Sequence, residues 1–151
     1  MRYQIETAMA GIAAGVLVSG VMVLGRRTGL LHKTLAEEAE DWLDRAVGLR
    51  RRIGATGTTA AEQINHLMAS AAFGAGYGTL RRSVPGVPPL ALGLLYGGAL
   101  YAINIATIAP LIGLTRGEGQ APTPVILERL ATHLLFGAAV AGFTSLGRER
   151  V

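Results

Sequence analysis

The sequence of 151 residues contains no cysteine, and only 16% of its residues are charged and 5% aromatic. Without cysteine there is no disulfide framework, no thiolate-bound zinc or iron–sulfur site and no cysteine nucleophile. Soluble domains carry about 25% charged residues, so this chain is short of the polar surface that a water-exposed domain needs. The common catalytic motifs are missing as well. There is no phosphate-binding loop, no His-Glu-x-x-His and no serine elbow, and the glycines follow helical spacing instead of a strand–turn–helix pattern. These absences predict a protein that is not an enzyme.

What the chain has is 50% hydrophobic residues and 21 glycines, gathered into long uncharged runs. Thr7 to Gly25 carries no charge and is close to the roughly 20 residues that cross about 30 Å of hydrocarbon. Arg26 and Arg27 follow this run, whereas a signal peptide places its positive charge in front. A second uncharged stretch, Val84 to Thr115, opens on Pro85, Pro88 and Pro89 and has Pro110 near its far end, which predicts a span over about 89–109. Thr59-Ala60-Ala61-Glu62 reads as a capping box that starts a helix carrying Leu67 to Leu80 across, over about 59–80. Thr123-Pro124 opens the last span, about 124–146. With the first span at 7–25, the expected fold is all-α, an integral membrane four-helix bundle forming one polytopic domain with the lipid bilayer as its first partner.

Lysine and arginine orient this bundle. Arg26, Arg27, Lys33, Arg45, Arg50, Arg51, Arg52 and Arg116 fall on one side, against Arg2, Arg81, Arg82, Arg148 and Arg150 on the other. The positive-inside rule then places the first connection in the cytoplasm and both termini outside, in a multi-pass protein of the bacterial inner membrane. The Arg50–Arg52 cluster is accounted for by that anchoring, and no nucleic-acid partner is expected.

The first connection has a pattern of its own. Thr34-Leu35-Ala36-Glu37 is another capping box and Gly54 a C-terminal stop, predicting one amphipathic extramembrane helix over about 35–53. Leu35, Ala39, Trp42, Ala46, Leu49 and Ile53 recur at spacings of four and three, a narrow seam that suits a partner helix and equally suits Trp42 packing on the protein's own loops. Small residues recur on the spans too: Gly11, Gly15 and Ser19; Gly74 and Gly78; Gly93 and Gly97; Gly137 and Ala141. In lipid such rows let backbones approach closely. Seam and rows together predict association, as a homo-oligomer or as an accessory subunit of a membrane complex.

Spans two and four also resemble each other. Glu62, His66, Leu67, Gly76, Tyr77 and Leu80 have counterparts in Glu128, His133, Leu134, Gly142, Phe143 and Leu146, as a parallel duplication would leave them. The two histidines should then face one another. With Asn65, and with Asn104 from span three, they form an intramembrane polar cluster: Glu62, Asn65, His66, Asn104, Glu128 and His133. Polar side chains at such depth face the bundle interior. The cluster can serve packing alone, a proton or small-solute path, or bis-histidine binding of a haem or pigment by His66 and His133. The Glu-x-x-x-His and Glu-x-x-x-x-His intervals differ from the Glu-x-x-His of bundle di-iron sites, so no other metal or cofactor is expected.

From about Ile64 to Val140 the chain resembles the YagU-like family of bacterial inner-membrane proteins. The resemblance is carried by His66, the Phe73-Gly74 to Gly76-Tyr77 stretch, Pro110 with Gly113-Leu114-Thr115, Glu128, and His133-Leu134. It implies a polytopic inner-membrane protein and draws attention to Glu128 and His133.

Overall fold

The computed structural model describes residues 2–29, 31 and 35–148, and among these the chain is helical with no strand. The helices are α1 (Arg2–Arg27), α2 (Leu35–Val47), α3 (Leu49–Ser83), α4 (Pro89–Leu111) and α5 (Thr123–Arg148), with a single 3₁₀ turn at Glu118–Gln120. By length and composition α1, α4 and α5 are apolar enough to cross a membrane. α3 is the longest helix, at 35 residues, but its first half is polar.

Glycine decides how closely the long helices pack. α1 runs antiparallel to α3, and a Cβ on Gly74 would stand 2.7 Å from Gly11 Cα and 2.8 Å from Gly11 N. In the same way α4 runs antiparallel to α5, where a Cβ on Gly137 would lie 2.8 Å from Gly97 N and 2.9 Å from the Gly93 carbonyl carbon. Gly15 sits against Ser70 and His66, Gly78 against Thr7, and Gly93 against Ala141. The glycine rows therefore meet each other within one chain. Ser19, at the end of the α1 row, is half-buried. α1 also packs along α5, which closes three sides of the bundle. The fourth side, between α3 and α4, is held near the hairpin that joins them. There Tyr77 Oη donates to Pro89 O (3.2 Å), Tyr96 Oη donates to Phe73 O (2.7 Å), and the two rings meet edge to face.

Several boundaries differ from the sequence expectation, each for a local reason. The polar helix expected over 35–53 is broken twice. Gly48 adopts φ 62° and ends α2 at Val47; its N–H donates to Asp44 O (2.9 Å), while Asp44 Oδ1 accepts from Arg50 N (2.9 Å). Gly54, the expected stop, adopts φ 72° and kinks α3. The heptad seam is thus divided, and Leu49 and Ile53 belong to a different segment from Trp42. Trp42 faces its own chain, its indole N–H donating to Ile112 O (3.1 Å), and Ile53 is exposed. Lys33, Thr34 and the Leu35 side chain lie outside the described residues. Gly48→Ala should cost about 1–2 kcal/mol, the usual penalty for a side chain at left-handed φ. A lower midpoint in SDS-induced unfolding would show it.

Thr59 starts no helix. Its hydroxyl donates back to Ala55 O (3.2 Å), one turn inside α3, so the expected capping box is absent and Glu62 serves elsewhere. α4 begins at Pro89 as expected and continues past Ala109 to Leu111, but the Tyr101–Ile108 segment is π-helical. Pro110 has no N–H for the carbonyl four residues back, and its ring presses on that carbonyl. The ladder slips by one residue ahead of it, with Ala109 N donating to Asn104 O.

Candidate functional site

At the α2 end the four long helices diverge around a chamber of about 280 Å³. Glu62, Asn65 and His66 reach it from α3, Asn104 from the π-helical part of α4, and Glu128 and His133 from α5. All six residues of the cluster predicted from sequence therefore line one cavity. Its remaining walls are mostly apolar: Val18 and Met22 of α1, Phe73, Leu100, Ile105 and Phe136, with Ala39 of α2 beneath.

The chamber is blind toward the hairpin end. Phe73 and Phe136 meet edge to face, with centroids 6.4 Å apart. One helical turn further, Ala14, Tyr77 and Val140 are at most 1% exposed and fill the bundle axis. Among the described residues no polar chain continues through that plug.

Each histidine is oriented by a backbone carbonyl. His66 Nε2 lies 3.3 Å from Gly15 O and His133 Nδ1 lies 2.7 Å from Arg129 O. A carbonyl only accepts, so both ring nitrogens must donate, and in the neutral rings the lone pair is left on His66 Nδ1 and His133 Nε2. Ligating histidines are commonly oriented in this way. Among the described residues, however, no group of three or more His, Asp or Glu side chains is placed to hold a metal ion.

Sequence reasoning gave no role to Arg129, which lines the chamber beside Glu128. Arg129 is 6% exposed and donates from Nη1 to Glu118 Oε1 (2.6 Å) and from Nη2 to Glu38 Oε2 (2.5 Å). Glu118 in turn accepts from Tyr101 Oη (2.5 Å). One guanidinium thereby ties α5 to α2, to the loop between α4 and α5, and to α4. Arg129 Nε is buried without a hydrogen-bond partner. The signal in the sequence was an arginine in the second turn of an apolar helix, a place that demands a counter-charge. Its partners lie 91 and 11 residues away, and no spacing rule connects them.

The duplication read from sequence has a structural counterpart. Gly15 opposes His66 and Ser70 as Gly97 opposes His133, and Gly11 opposes Gly74 as Gly93 opposes Ala141. The α1/α3 and α4/α5 pairs cross in the same register. An exact pseudo-twofold would make the α3/α4 contact equal to the α1/α5 contact, and it is not: the former is sparse and the latter extensive. Compared with protein-family models, curated proteins and solved structures, the chain matches none.

Proposed function

We propose that this chain is a four-span protein of the bacterial inner membrane that binds a small, largely apolar molecule with a polar head in the chamber at its cytoplasmic end, without acting as an enzyme. α3 is its fourth span, crossing over about 59–83. The convergence of Glu62, Asn65, His66, Asn104, Glu128 and His133 on one apolar-walled cavity, plugged toward the hairpin end, carries this reading. The walls would take the ligand's apolar body, and the two histidine lone pairs and two amides its polar head. At about 280 Å³ the space suits a compact ligand, since ordinary small-molecule pockets begin near 300 Å³. Its orientation, with α2 and Arg116 in the cytoplasm, follows from the arginine-rich side of the chain.

This reading shifts weight from association to binding. The glycine rows that another protomer or subunit would use are occupied inside the chain, and Trp42 bonds to the chain's own α4. Conduction draws less support than binding, because the plug of Ala14, Tyr77 and Val140 gives a proton or solute no polar route.

Native mass spectrometry and an absorbance spectrum of the protein in mild detergent test the proposal. We expect an adduct on the 15.7 kDa chain that is lost in Ala69→Phe, which fills the chamber from α3. A Soret band would identify the ligand as haem held by His66 and His133. The same bare mass for both proteins would count against a ligand-binding chamber.

A further inference from the structure

The chamber is walled unevenly. Toward the hairpin it ends at the plug of Ala14, Tyr77 and Val140. Toward α2 it meets Ala39 and Arg129, and Arg129 is the one described residue it shares with a second cavity, a polar cleft of about 540 Å³ between α2 and the loop that joins α4 to α5. Gly15 against His66 and Gly97 against His133 bring α1 onto α3 and α4 onto α5 at chamber depth, and α1 packs along α5, so three flanks are packed helix on helix. On the fourth, between α3 and the Tyr101–Ile108 segment of α4, contact is sparse. Asn65 lines the chamber from α3 and is nevertheless exposed. It begins a row of Asn65, Ala69, Ala72 and Gly76, spaced by four, three and four along one helix face. The row ends where Tyr96 of α4 crosses to α3, its Oη 2.7 Å from the position of a Cβ on Gly76. From that rung toward α2, the short side chains of Ala69 and Ala72 leave a slot between α3 and α4 that runs into the chamber.

We propose that this slot is a lateral entrance from the bilayer, and that the ligand is an uncharged, hydroxyl-bearing, single-chain lipid whose head occupies the chamber while its chain lies in the slot. The inference rests on the reading of the chamber as a ligand site and adds the ligand's chemical class and its route. Size agrees with it: about 280 Å³ is close to the lower limit of small-molecule pockets, room for a head and the start of a chain but not for a whole lipid. The chain has apolar company, since Met68 of α3 and Ile103 of α4 are exposed beside the chamber's own lining residues. The wall sets the chemistry of the head. His66 and His133 each hold one ring nitrogen on a backbone carbonyl and keep the other as an acceptor, so the two rings call for a donor. A hydroxyl supplies one and also accepts from the amides of Asn65 and Asn104, whereas a ketone or ester oxygen only accepts. An anionic head would lie beside Glu62 and Glu128; a cationic one would find both carboxylates already partnered and the Arg129 guanidinium close by. An uncompensated charge in such a space is costly. A second copy of the chain suits the slot less well, because a helix laid across it would cover the polar chamber without bonding to it, and the glycine rows such a helix would use are occupied inside the chain.

The test places the full chain in phosphatidylcholine vesicles with a monoacylglycerol that carries a photoreactive diazirine, in one probe beside the glycerol head and in another at mid-chain. After irradiation, mass spectrometry of the peptides locates each adduct. The head probe should mark chamber residues of α3 and α4, and the mid-chain probe should mark Met68 and Ile103. Unlabelled monoacylglycerol should compete with the head probe about tenfold better than the same lipid bearing a phosphate, or than an alkylamine of equal chain length. Ala69→Phe, which fills the chamber, should remove the head label. Ala72→Trp, which stands in the slot outside the chamber, should lower it, and either variant suffices if the other fails to fold. Equal competition by the charged lipids would overturn the uncharged head. A mid-chain label spread over all exposed helix faces, with none gathered at the slot, would overturn the lateral entrance. A native-mass adduct lost in Ala69→Phe, with no lipid label in the chamber, would overturn the lipid and leave the chamber standing as a ligand site. Absence of both adduct and label would overturn the two readings together. A dimer by native mass with an unlabelled slot would put a second copy there instead.

Discussion

Gly74→Ala should destabilise the bundle, and Gly74→Leu should prevent it from forming. The added methyl would stand 2.7 Å from Gly11 Cα and 2.8 Å from Gly11 N, both backbone atoms that no side-chain rotation can move. α1 and α3 must then separate, which opens the crossing of Thr7, Gly11 and Gly15 against Gly78, Gly74 and Ser70. Overpacking of this kind costs about 1–3 kcal/mol for a single methyl group. Gly137→Ala should do the same to the α4/α5 pair, for the same geometric reason. Gly142→Ala is the control: nothing lies within 4 Å of its Cβ position, and trading helical glycine for alanine gains up to about 1 kcal/mol. Titration with SDS, followed by Trp42 fluorescence, orders these variants. If Gly74→Ala and Gly142→Ala unfolded at the same SDS fraction, the crossing described for α1 and α3 would be wrong.

Arg129→Met should be nearly as damaging, and its cost should be recoverable. The substitution leaves Glu38 and Glu118, with side chains only 24% and 15% exposed, facing each other without the cation that holds them. Breaking a buried pair from one side typically costs about 3–5 kcal/mol, since the abandoned charge keeps its desolvation penalty. The triple variant Arg129→Met, Glu38→Gln, Glu118→Gln removes all the charges together and should regain most of the loss. Tyr101 keeps a hydrogen-bond acceptor in that variant, because the glutamine carbonyl replaces the Glu118 carboxylate. Unfolding midpoints of the single, double and triple variants give the coupling energy directly. Additive costs would show that the three groups do not act as one unit.

The sequence reached the chamber because its residues break a strong local rule. Glu128 and His133 stand out against the apolar α5, and Glu62 and His66 stand where the polar half of α3 gives way to its apolar half, which puts ionisable side chains on the inward face. Asn104 was placed at the right depth although its segment is π-helical, since one slipped hydrogen bond moves a side chain by only a fraction of a turn. Arg129 was passed over because its meaning depends on Glu38 and Glu118, residues that only folding brings to it. Trp42 stayed open between two partners for a related reason. Its spacing described a stripe, and a stripe does not say whether a foreign helix or the chain's own Ile112 carbonyl will meet it.

Composition and hydrophobic run length by themselves determined that the protein is helical and that three of its helices are long and apolar enough to cross a membrane. Both properties are local, set by backbone hydrogen bonding and by side-chain polarity over some twenty residues. The small-residue rows likewise announced close helix crossings. Tertiary structure alone decided which rows meet, that they meet inside one chain, and that α3 and α4 stay apart at the α2 end. It also ended α2 at Gly48 and set Arg129 between two cavities. These are outcomes of competition among distant surfaces for the same contacts, and among apolar helices that competition is settled by steric fit and charge pairing, neither of which has a period in the sequence.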